Sequence, residues 1–457
     1  MESCKVATGK EQLMRNCCSC RHLLSFFACA TLALVASPAR TEPSPKDIAS
    51  QASEEICLSG LGAVPIPGAT PIASFGPRAL NGKHMNVRDW MTDGGYFLRV
   101  KEFDPPDRPP LFFAAVYSKT KAPIMRLVRD SKCRLRGGER IETARSSAAP
   151  APQRLVLFDA KFQHRSPPIP LNPKLPPPPT TRTYCEPVAL LDNGVNYLLP
   201  EIARNLARDE TGKLIGYDYW ENDSRPFDFG VPDGDLDPRV SAFEPISHGT
   251  SVASVLLRDA EGAICIAPFR YAPHRRNADI GKIIDKVEKY GIRIVLITTG
   301  RSQPWPEFAQ AIEDHPGVLF ISASGNEDAD LNKNAFYPMA YARDNHLVVA
   351  AANLDGSVWH RSNTGDGLVE IAVPAIGIEG IGFSGKPKML SGTSFAAPRV
   401  AALAGILAQN NRNLDGKHLK MRILEAFQQI GHGTMSFTTL SSADFDTLLK
   451  KLKQNHQ

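Results

Sequence analysis

Short apolar runs alternate with longer amphipathic segments along the second half of the chain. The runs Arg293–Thr298, Val318–Ser322 and His346–Ala351 are rich in branched apolar side chains, which is typical of buried strands. The segments Ile280–Tyr290 and Ser394–Gln409 have the length and spacing of helices. This alternation predicts an α/β fold with a mostly parallel sheet and helices on both faces.

Weaker strand patterns occupy the first half of the chain, between turns rich in proline and glycine. They lie at Tyr96–Val100, Leu111–Tyr117, Ile124–Val128 and Arg154–Phe158. We expect a compact, β-containing module over roughly residues 55–163, in front of the α/β domain.

Two amphipathic segments near the C-terminus, Gly416–Gln428 and Ser442–Gln454, have the pattern of surface helices. The second begins with serines and carries lysines in its last turns, which suits helix capping and the helix dipole. Both are expected to cover the large domain.

A proline-rich segment, Ser166–Pro179, divides the chain and has the composition of a stiff polyproline spacer. A docking peptide for an aromatic groove is the alternative. The expected organisation is a signal peptide at 1–39, an N-terminal accessory region or propeptide at 40–165, a linker at 166–182 and the α/β domain at 183–457.

The N-terminus resembles a secretory signal. Arg15 and Arg21 precede an apolar run, Leu23–Ala36, and a small-residue site allows cleavage after Ala39. Translation from Met14 and an uncleaved signal anchor are alternatives. The run is too short to favour a stable membrane anchor, and no membrane span is predicted beyond a possible uncleaved signal. We therefore expect a secreted or periplasmic protein.

Cysteine placement is compatible with export. Five of the nine cysteines would leave with the signal, and four would remain: Cys57, Cys133, Cys185 and Cys265. These four permit two disulfides in any of three pairings, or four free thiols.

Charge and composition exclude some function classes. The net charge of +5 is small for 457 residues and shows no basic, aromatic stripe, so no nucleic-acid partner is expected. The cysteines and histidines lack zinc-ligand spacing.

Carboxylates are dense in Tyr217–Asp223 and at four later positions. This density leaves open a structural calcium ion, with a solvated acidic loop as the alternative. Those positions are Asp228, Asp233, Asp235 and Asp237.

Three polar residues stand at places that suit catalysis. Asp192 ends an apolar run before Asn193-Gly194, where a parallel strand delivers a side chain to the carboxyl edge of a sheet. His248 opens a segment of small residues, and Ser394 lies in a Gly-Thr-Ser turn before a helix. A hydroxyl there meets free N–H groups and the positive end of the helix dipole.

The motifs Asp-Asn-Gly, His-Gly-Thr-Ser-Val-Ala and Gly-Thr-Ser-Phe-Ala-Ala-Pro, in this order, resemble those of the subtilisin-like serine proteases (subtilases). The resemblance implies a nucleophile Ser394, a general base His248 and an orienting acid Asp192. It also implies that Asn326, in Ser-Ala-Ser-Gly-Asn, donates to the oxyanion. No cofactor is implied, and the partners are protein or peptide substrates.

The resemblance also implies a substrate cleft, formed by the segments after two strands. Its predicted residues are Thr298, Thr299, Gly300, Ala323, Ser324 and Gly325. The chain departs from the family pattern at Asn193, where Thr or Ser is usual. It also departs at Arg301, which with Glu327 could form a pair at the pocket or select a substrate charge. Two solvated loop charges are the alternative.

The predicted function is an exported serine endopeptidase acting through an acyl-enzyme. One alternative is a catalytically silent binding or scaffold protein of the same fold. Another is an esterase that uses the same triad.

Overall fold

The computed structural model describes residues 42–80, 83–105, 108–143, 153–180, 184–229, 242–243, 247–271, 280–433 and 437–454. Residues 43–457 belong to one compact unit. The predicted signal sequence and its five cysteines lie outside the described residues. No helix in the described ranges combines the length and the apolarity that crossing a membrane requires.

The N-terminal part is a helix packed on an antiparallel meander sheet, in which each strand pairs with the next. Its elements are α1 (Pro45–Ser59), β1 (Thr70–Leu80), β2 (Lys83–Met91), β3 (Phe97–Asp104), β4 (Leu111–Tyr117), β5 (Pro123–Asp130), β6 (Leu135–Thr143), β7 (Gln153–Asp159) and β8 (Ile169–Pro170). The four predicted strands correspond to β3, β4, β5 and β7. A disulfide joins Cys57, in α1, to Cys133, in the turn between β5 and β6.

The two faces of this sheet differ. One face is apolar and packs against Ile48, Ala52 and Ile56 of α1. The other carries buried charges, including the bidentate ion pair of Arg99 with Asp89 at 2.7 Å. The sheet also contains β1, β2, β6 and β8, which the sequence pattern did not predict. In β2 the buried Asp89 interrupts the alternation of apolar inward and polar outward residues.

Aromatic contacts connect the N-terminal sheet to the segment just before His248. The ring of Tyr117 packs edge-on against Phe97 and Phe243, with centroid distances of 6.0 and 5.9 Å. Leu155 and Leu171 lie in the same buried cluster as residues of the α/β domain. One continuous core therefore joins the two parts.

The proline-rich segment is packed on the α/β domain rather than free. The Tyr197 hydroxyl donates to the Pro173 carbonyl at 2.7 Å, and Arg208 Nη2 donates to the Pro176 carbonyl at 2.7 Å. Asn172 donates its side-chain amide to Asp223 at 2.8 Å. Prolines lack N–H donors but keep their carbonyls, which here accept from side chains of the domain.

The α/β domain is built on a nine-stranded sheet in the order β10-β11-β9-β12-β13-β14-β15-β19-β18, parallel except for its last pair. Its strands are β9 (Glu186–Asp192), β10 (Tyr217–Asp218), β11 (Ile264–Arg270), β12 (Ile294–Ile297), β13 (Leu319–Ala323), β14 (His346–Ala352), β15 (Val369–Pro374), β18 (His432–Gly433) and β19 (Thr438–Thr439). A separate hairpin pairs β16 (Ile378–Ile381) with β17 (Pro387–Leu390). A second disulfide joins Cys185, which precedes β9, to Cys265 in β11.

Helices cover both faces of the sheet, as predicted. They are α2 (Pro200–Ala203), α3 (His248–Ala260), α4 (Ile280–Lys289), α5 (Pro306–Asp314), α6 (Thr393–Asn410), α7 (Gly416–Ile430) and α8 (Ser442–Gln454). Helices α3 and α6 pack on one face with Val188 and Leu190 of β9. Helices α4 and α5 pack on the other face with Ala189 and Leu191. Successive side chains of β9 therefore point to opposite faces of the sheet, and each face has its own hydrophobic core.

Candidate active site

Asp192 lies at the carboxyl end of β9 and is fully buried. Its Oδ1 accepts from the Asn193 backbone N–H at 2.6 Å, and its Oδ2 accepts from the Thr298 hydroxyl. The orienting group at position 193 is therefore a backbone amide, which explains why Asn can replace the usual Thr or Ser.

His248 is the first residue of α3 and faces the same carboxylate. Its Nδ1 lies 2.8 Å from Asp192 Oδ2 and 3.0 Å from Oδ1. Donation from Nδ1 to the carboxylate leaves Nε2 as the nitrogen that can accept a proton. The family resemblance predicted these two residues as an acid and a base that act together, and the fold brings them into hydrogen-bond contact.

Two motif glycines permit this contact. A Cβ on Gly249 would lie 2.1 Å from the Gly194 carbonyl oxygen, and a Cβ on Gly194 would lie 2.6 Å from the Pro226 carbonyl oxygen. Gly194 also has a φ of 91°, which favours glycine. The first turn of α3 therefore rests directly on the loop that follows Asp192.

The electrostatic environment favours the protonated imidazole of His248. Burial alone would lower the pKa of His248, but the charge and the hydrogen bond of Asp192, together with the charge of Asp228, raise it above its ordinary value. A base with a raised pKa accepts a proton more readily and needs a higher pH to be neutral.

Ser394 is the second residue of α6 and is partly exposed. The next residue, Phe395, places its ring 5.8 Å from the His248 ring, so the N-termini of α3 and α6 meet. Within the described part of the chain, the Ser394 hydroxyl makes no hydrogen bond. It is available to a substrate at a helix N-terminus, where unpaired N–H groups favour negative charge.

Asn326 is fixed beside Ser394 by Thr393. Its Oδ1 accepts from the Thr393 N–H at 2.9 Å and from the Thr393 hydroxyl at 3.0 Å. The Gly325 N–H in turn donates to that hydroxyl at 3.1 Å. Because two donors occupy the carbonyl end of the amide, its Nδ2 is the end that can donate to a substrate oxygen. The motif contained Thr393, but its role was not predicted.

The residues predicted to form the cleft occupy two environments. Thr298 is buried, and its hydroxyl donates to Asp192. The Thr299 hydroxyl donates to the Tyr271 hydroxyl at 3.0 Å. Ala323 and Ser324 are buried, so their side chains belong to the core. The backbone of Gly300 and Gly325 is partly exposed after the two strands.

The two charges predicted near the pocket do not pair with each other. Glu327 Oε2 accepts from the Asn326 N–H and from the Asn363 amide, each at 2.8 Å. Arg301 donates to the carbonyls of Gln303 and Pro304 and lies over the Trp305 ring. Glu327 thus supports the loop that carries Asn326, which the sequence did not indicate.

Two carboxylates of the acidic segment considered for calcium pair with arginine side chains. Asp218 pairs with Arg270 at 2.8 Å, and Asp223 pairs with Arg225 at 2.6 Å. Among the described residues, no group of three or more His, Cys, Asp or Glu could hold a metal ion. The predicted ligands Asp233, Asp235 and Asp237 lie outside the described residues. A structural calcium ion stays a prediction from the sequence.

Asp192 and His248 are in hydrogen-bond contact at the carboxyl edge of the parallel sheet, and the helix that carries Ser394 begins beside them. Residues 187–439, more than half of the chain, match the subtilase family. The chain therefore belongs to the subtilases, a family of serine peptidases, as the motifs predicted.

Individual relatives are distant. A thermophilic serine proteinase of Bacillus sp. (strain AK1) is 26% identical over 243 residues, which are 50% of this chain and 53% of that protein. Subtilisin BL of Lederbergia lenta is 27% identical over 213 residues, 44% of this chain and 77% of the enzyme. The chain thus spans only about half the length of the first relative. The crystal structure of a cold-adapted subtilisin-like serine proteinase matches 58% of this chain and 93% of its own, with a TM-score of 0.43 and 21% identity.

Proposed function

We propose that this chain is a serine endopeptidase with the triad Asp192, His248 and Ser394. The observation that carries the proposal is the hydrogen bond between Asp192 and His248 Nδ1 at the helix end next to Ser394. Membership of the subtilase family supports it.

In the proposed reaction, Ser394 Oγ attacks the scissile carbonyl while His248 Nε2 takes the hydroxyl proton. The C–N bond then breaks, and His248 returns the proton to the leaving amine, which leaves an acyl-enzyme on Ser394. Water deacylates the serine by the same proton route. Asp192 holds the imidazole tautomer and stabilises its charged form.

The proposed oxyanion hole consists of Asn326 Nδ2 and a backbone N–H at the start of α6. Oδ1 of Asn326 is held by Thr393, so the amide is oriented before substrate binds. Donors fixed in advance stabilise the developing charge without reorganisation.

We propose that an extended peptide binds along the backbone of Thr299–Gly300 and of Gly325. The partly exposed backbone after β12 and β13 supports this placement, since it offers N–H and C=O groups to a peptide backbone. The buried side chains of Ala323 and Ser324 would act only by shaping these segments.

The decisive experiment compares the wild type with Ser394→Ala, using a fluorophosphonate probe, casein and a simple ester. Labelling and casein cleavage by the wild type alone would support the endopeptidase. Labelling and ester turnover without casein cleavage would favour the esterase. A folded wild type that is not labelled would favour the catalytically silent alternative.

We also propose export to an oxidising compartment. The two disulfides, Cys57–Cys133 and Cys185–Cys265, support this location because they use all four cysteines of the predicted mature chain. The apolar run before Ala39 supports a secretory signal. N-terminal sequencing of the protein from culture medium and from periplasm tests both the cleavage and the compartment.

We propose further that the N-terminal region is a retained accessory domain rather than a propeptide. Its support is the core shared through Tyr117 and Phe243, and the hydrogen bonds that hold Pro173 and Pro176. Intact mass of the wild type and Ser394→Ala tests this. A mature wild type that begins near residue 183 would contradict it.

A further inference from the structure

Asp228 is a fully buried carboxylate that contacts the first turn of α3 from a distant segment. Its Oδ2 accepts from the Thr250 N–H at 2.7 Å and from the Thr250 hydroxyl at 2.6 Å. The residue at the usual capping position, Ser247, makes no side-chain hydrogen bond to the helix. Asp228 therefore accepts from the Thr250 N–H, one of the free N-terminal donors that a local cap would otherwise bind.

The same contact ties α3 to the loop that follows Asp192. The Thr250 hydroxyl accepts from the Asn196 N–H at 2.9 Å while it donates to Asp228. The Asp228 N–H donates to the Val195 carbonyl at 3.3 Å. The segments that carry Asp192 and His248 thus meet at one hydrogen-bonded junction.

Asp228 also acts on His248 through its charge. Burial raises the pKa of Asp228 to about 7, although the hydrogen bonds from Thr250 oppose this rise. The negative charge of Asp228 contributes to the raised pKa of His248. An unpartnered carboxylate would be costly at such a site, and the two donors of Thr250 offset that cost.

We propose that Asp228 is a positioning residue for the catalytic pair: through Thr250 it fixes the first turn of α3 so that His248 faces Asp192 and Ser394 together. The proposal rests on the proposed peptidase function. Asp228 acts through Thr250 and is not itself a catalytic residue.

The test begins with Asp228→Ala, Asp228→Asn and Thr250→Val. Asp228→Ala is expected to lower kcat about 10²-fold with little change in KM, the scale of a misplaced catalytic group. Asp228→Asn keeps an acceptor for Thr250 and is expected to lose less. The double variant of Asp228→Ala and Thr250→Val should lose no more than the larger single loss, since both changes break one junction.

Asp259 provides the matched control, because it is a buried carboxylate at the opposite end of the same helix. It accepts from Arg399 Nε at 2.8 Å. Asp259→Asn is expected to lower Tm but to keep the rate at which the fluorophosphonate labels Ser394. If Asp228→Ala and Asp228→Asn only lower Tm and also keep that rate, the proposal is wrong.

A measurement independent of catalysis separates this proposal from the peptidase proposal. The NMR resonance of the His248 Nδ1–H reports its hydrogen bond to Asp192. It is expected to shift in Asp228→Ala and to stay unchanged in Asp259→Asn. A wild type that resists labelling would overturn the peptidase proposal. An unchanged resonance in both Asp228 variants would overturn the role of Asp228.

Discussion

The hydroxyl of Thr298 donates a hydrogen bond to the carboxylate of Asp192. Thr298 follows β12, and Asp192 ends the neighbouring strand β9, so the parallel pairing brings them together. The carboxylate therefore receives hydrogen bonds from Thr298, Asn193 and His248. Thr298, which the sequence predicted only as a cleft residue, thus also supports the acid.

Thr298→Val removes this donor while keeping the side-chain shape. Hydrogen bonds to charged groups contribute about 1.5–3 kcal/mol, so kcat/KM is expected to fall by roughly 10- to 100-fold. Thr298→Ser keeps the hydroxyl and should retain most activity. Peptide hydrolysis by the three proteins checks this, and equal rates for Val and Ser would contradict it.

Asn326→Ala removes the proposed oxyanion donor. The expected result is a fall of about 10²–10³ in kcat, the loss measured for such a donor in subtilisin, with KM almost unchanged. Asn353→Ala, in an exposed turn, is the matched control and should behave as the wild type. A large rise in KM at constant kcat would instead place Asn326 in substrate binding.

The raised pKa of His248 predicts where activity begins as pH rises. His248 must be neutral to accept the Ser394 proton, so kcat/KM should increase through a pKa above the ordinary value of about 6.5. Asp192→Asn removes the main attraction that raises this pKa and should move the acid limb to lower pH. The pH profile of kcat/KM measures both. A wild-type limb at or below that ordinary value would contradict the prediction.

The two disulfides close loops of similar length, with sequence separations of 76 and 80 residues. The chain-entropy description gives about 4.5 kcal/mol for each. Replacing Cys185 and Cys265 by Ser, or Cys57 and Cys133 by Ser, is therefore expected to lower the free energy of unfolding to a similar extent. Chemical denaturation of both variants checks this, and very unequal losses would show that local packing dominates.

The sequence predicted the elements that bear the site more reliably than the contacts between them. The helix Ser442–Gln454 agrees with α8 at both ends, and the strand His346–Ala351 agrees with β14 within one residue. Long periodic segments with clear ends are local properties of the chain, so their positions can be predicted from sequence.

Side-chain partners were harder to predict, because they depend on which segments the fold brings together. Asp228 contacts Thr250 across 22 residues, and Thr298 contacts Asp192 across 106. Neither spacing has a sequence signature. The pairing of the four cysteines was left open for the same reason, since spacing alone allows three combinations.

The packed linker has a consequence for any maturation of the chain. Arg208 donates to the Pro176 carbonyl, and Tyr184 lies two residues before β9 begins. Asp192 lies at the other end of this seven-residue strand, about 20 Å away at the usual rise per residue. We therefore expect a cut just before Tyr184 to be made by a second molecule, so that the rate of such processing would depend on protein concentration.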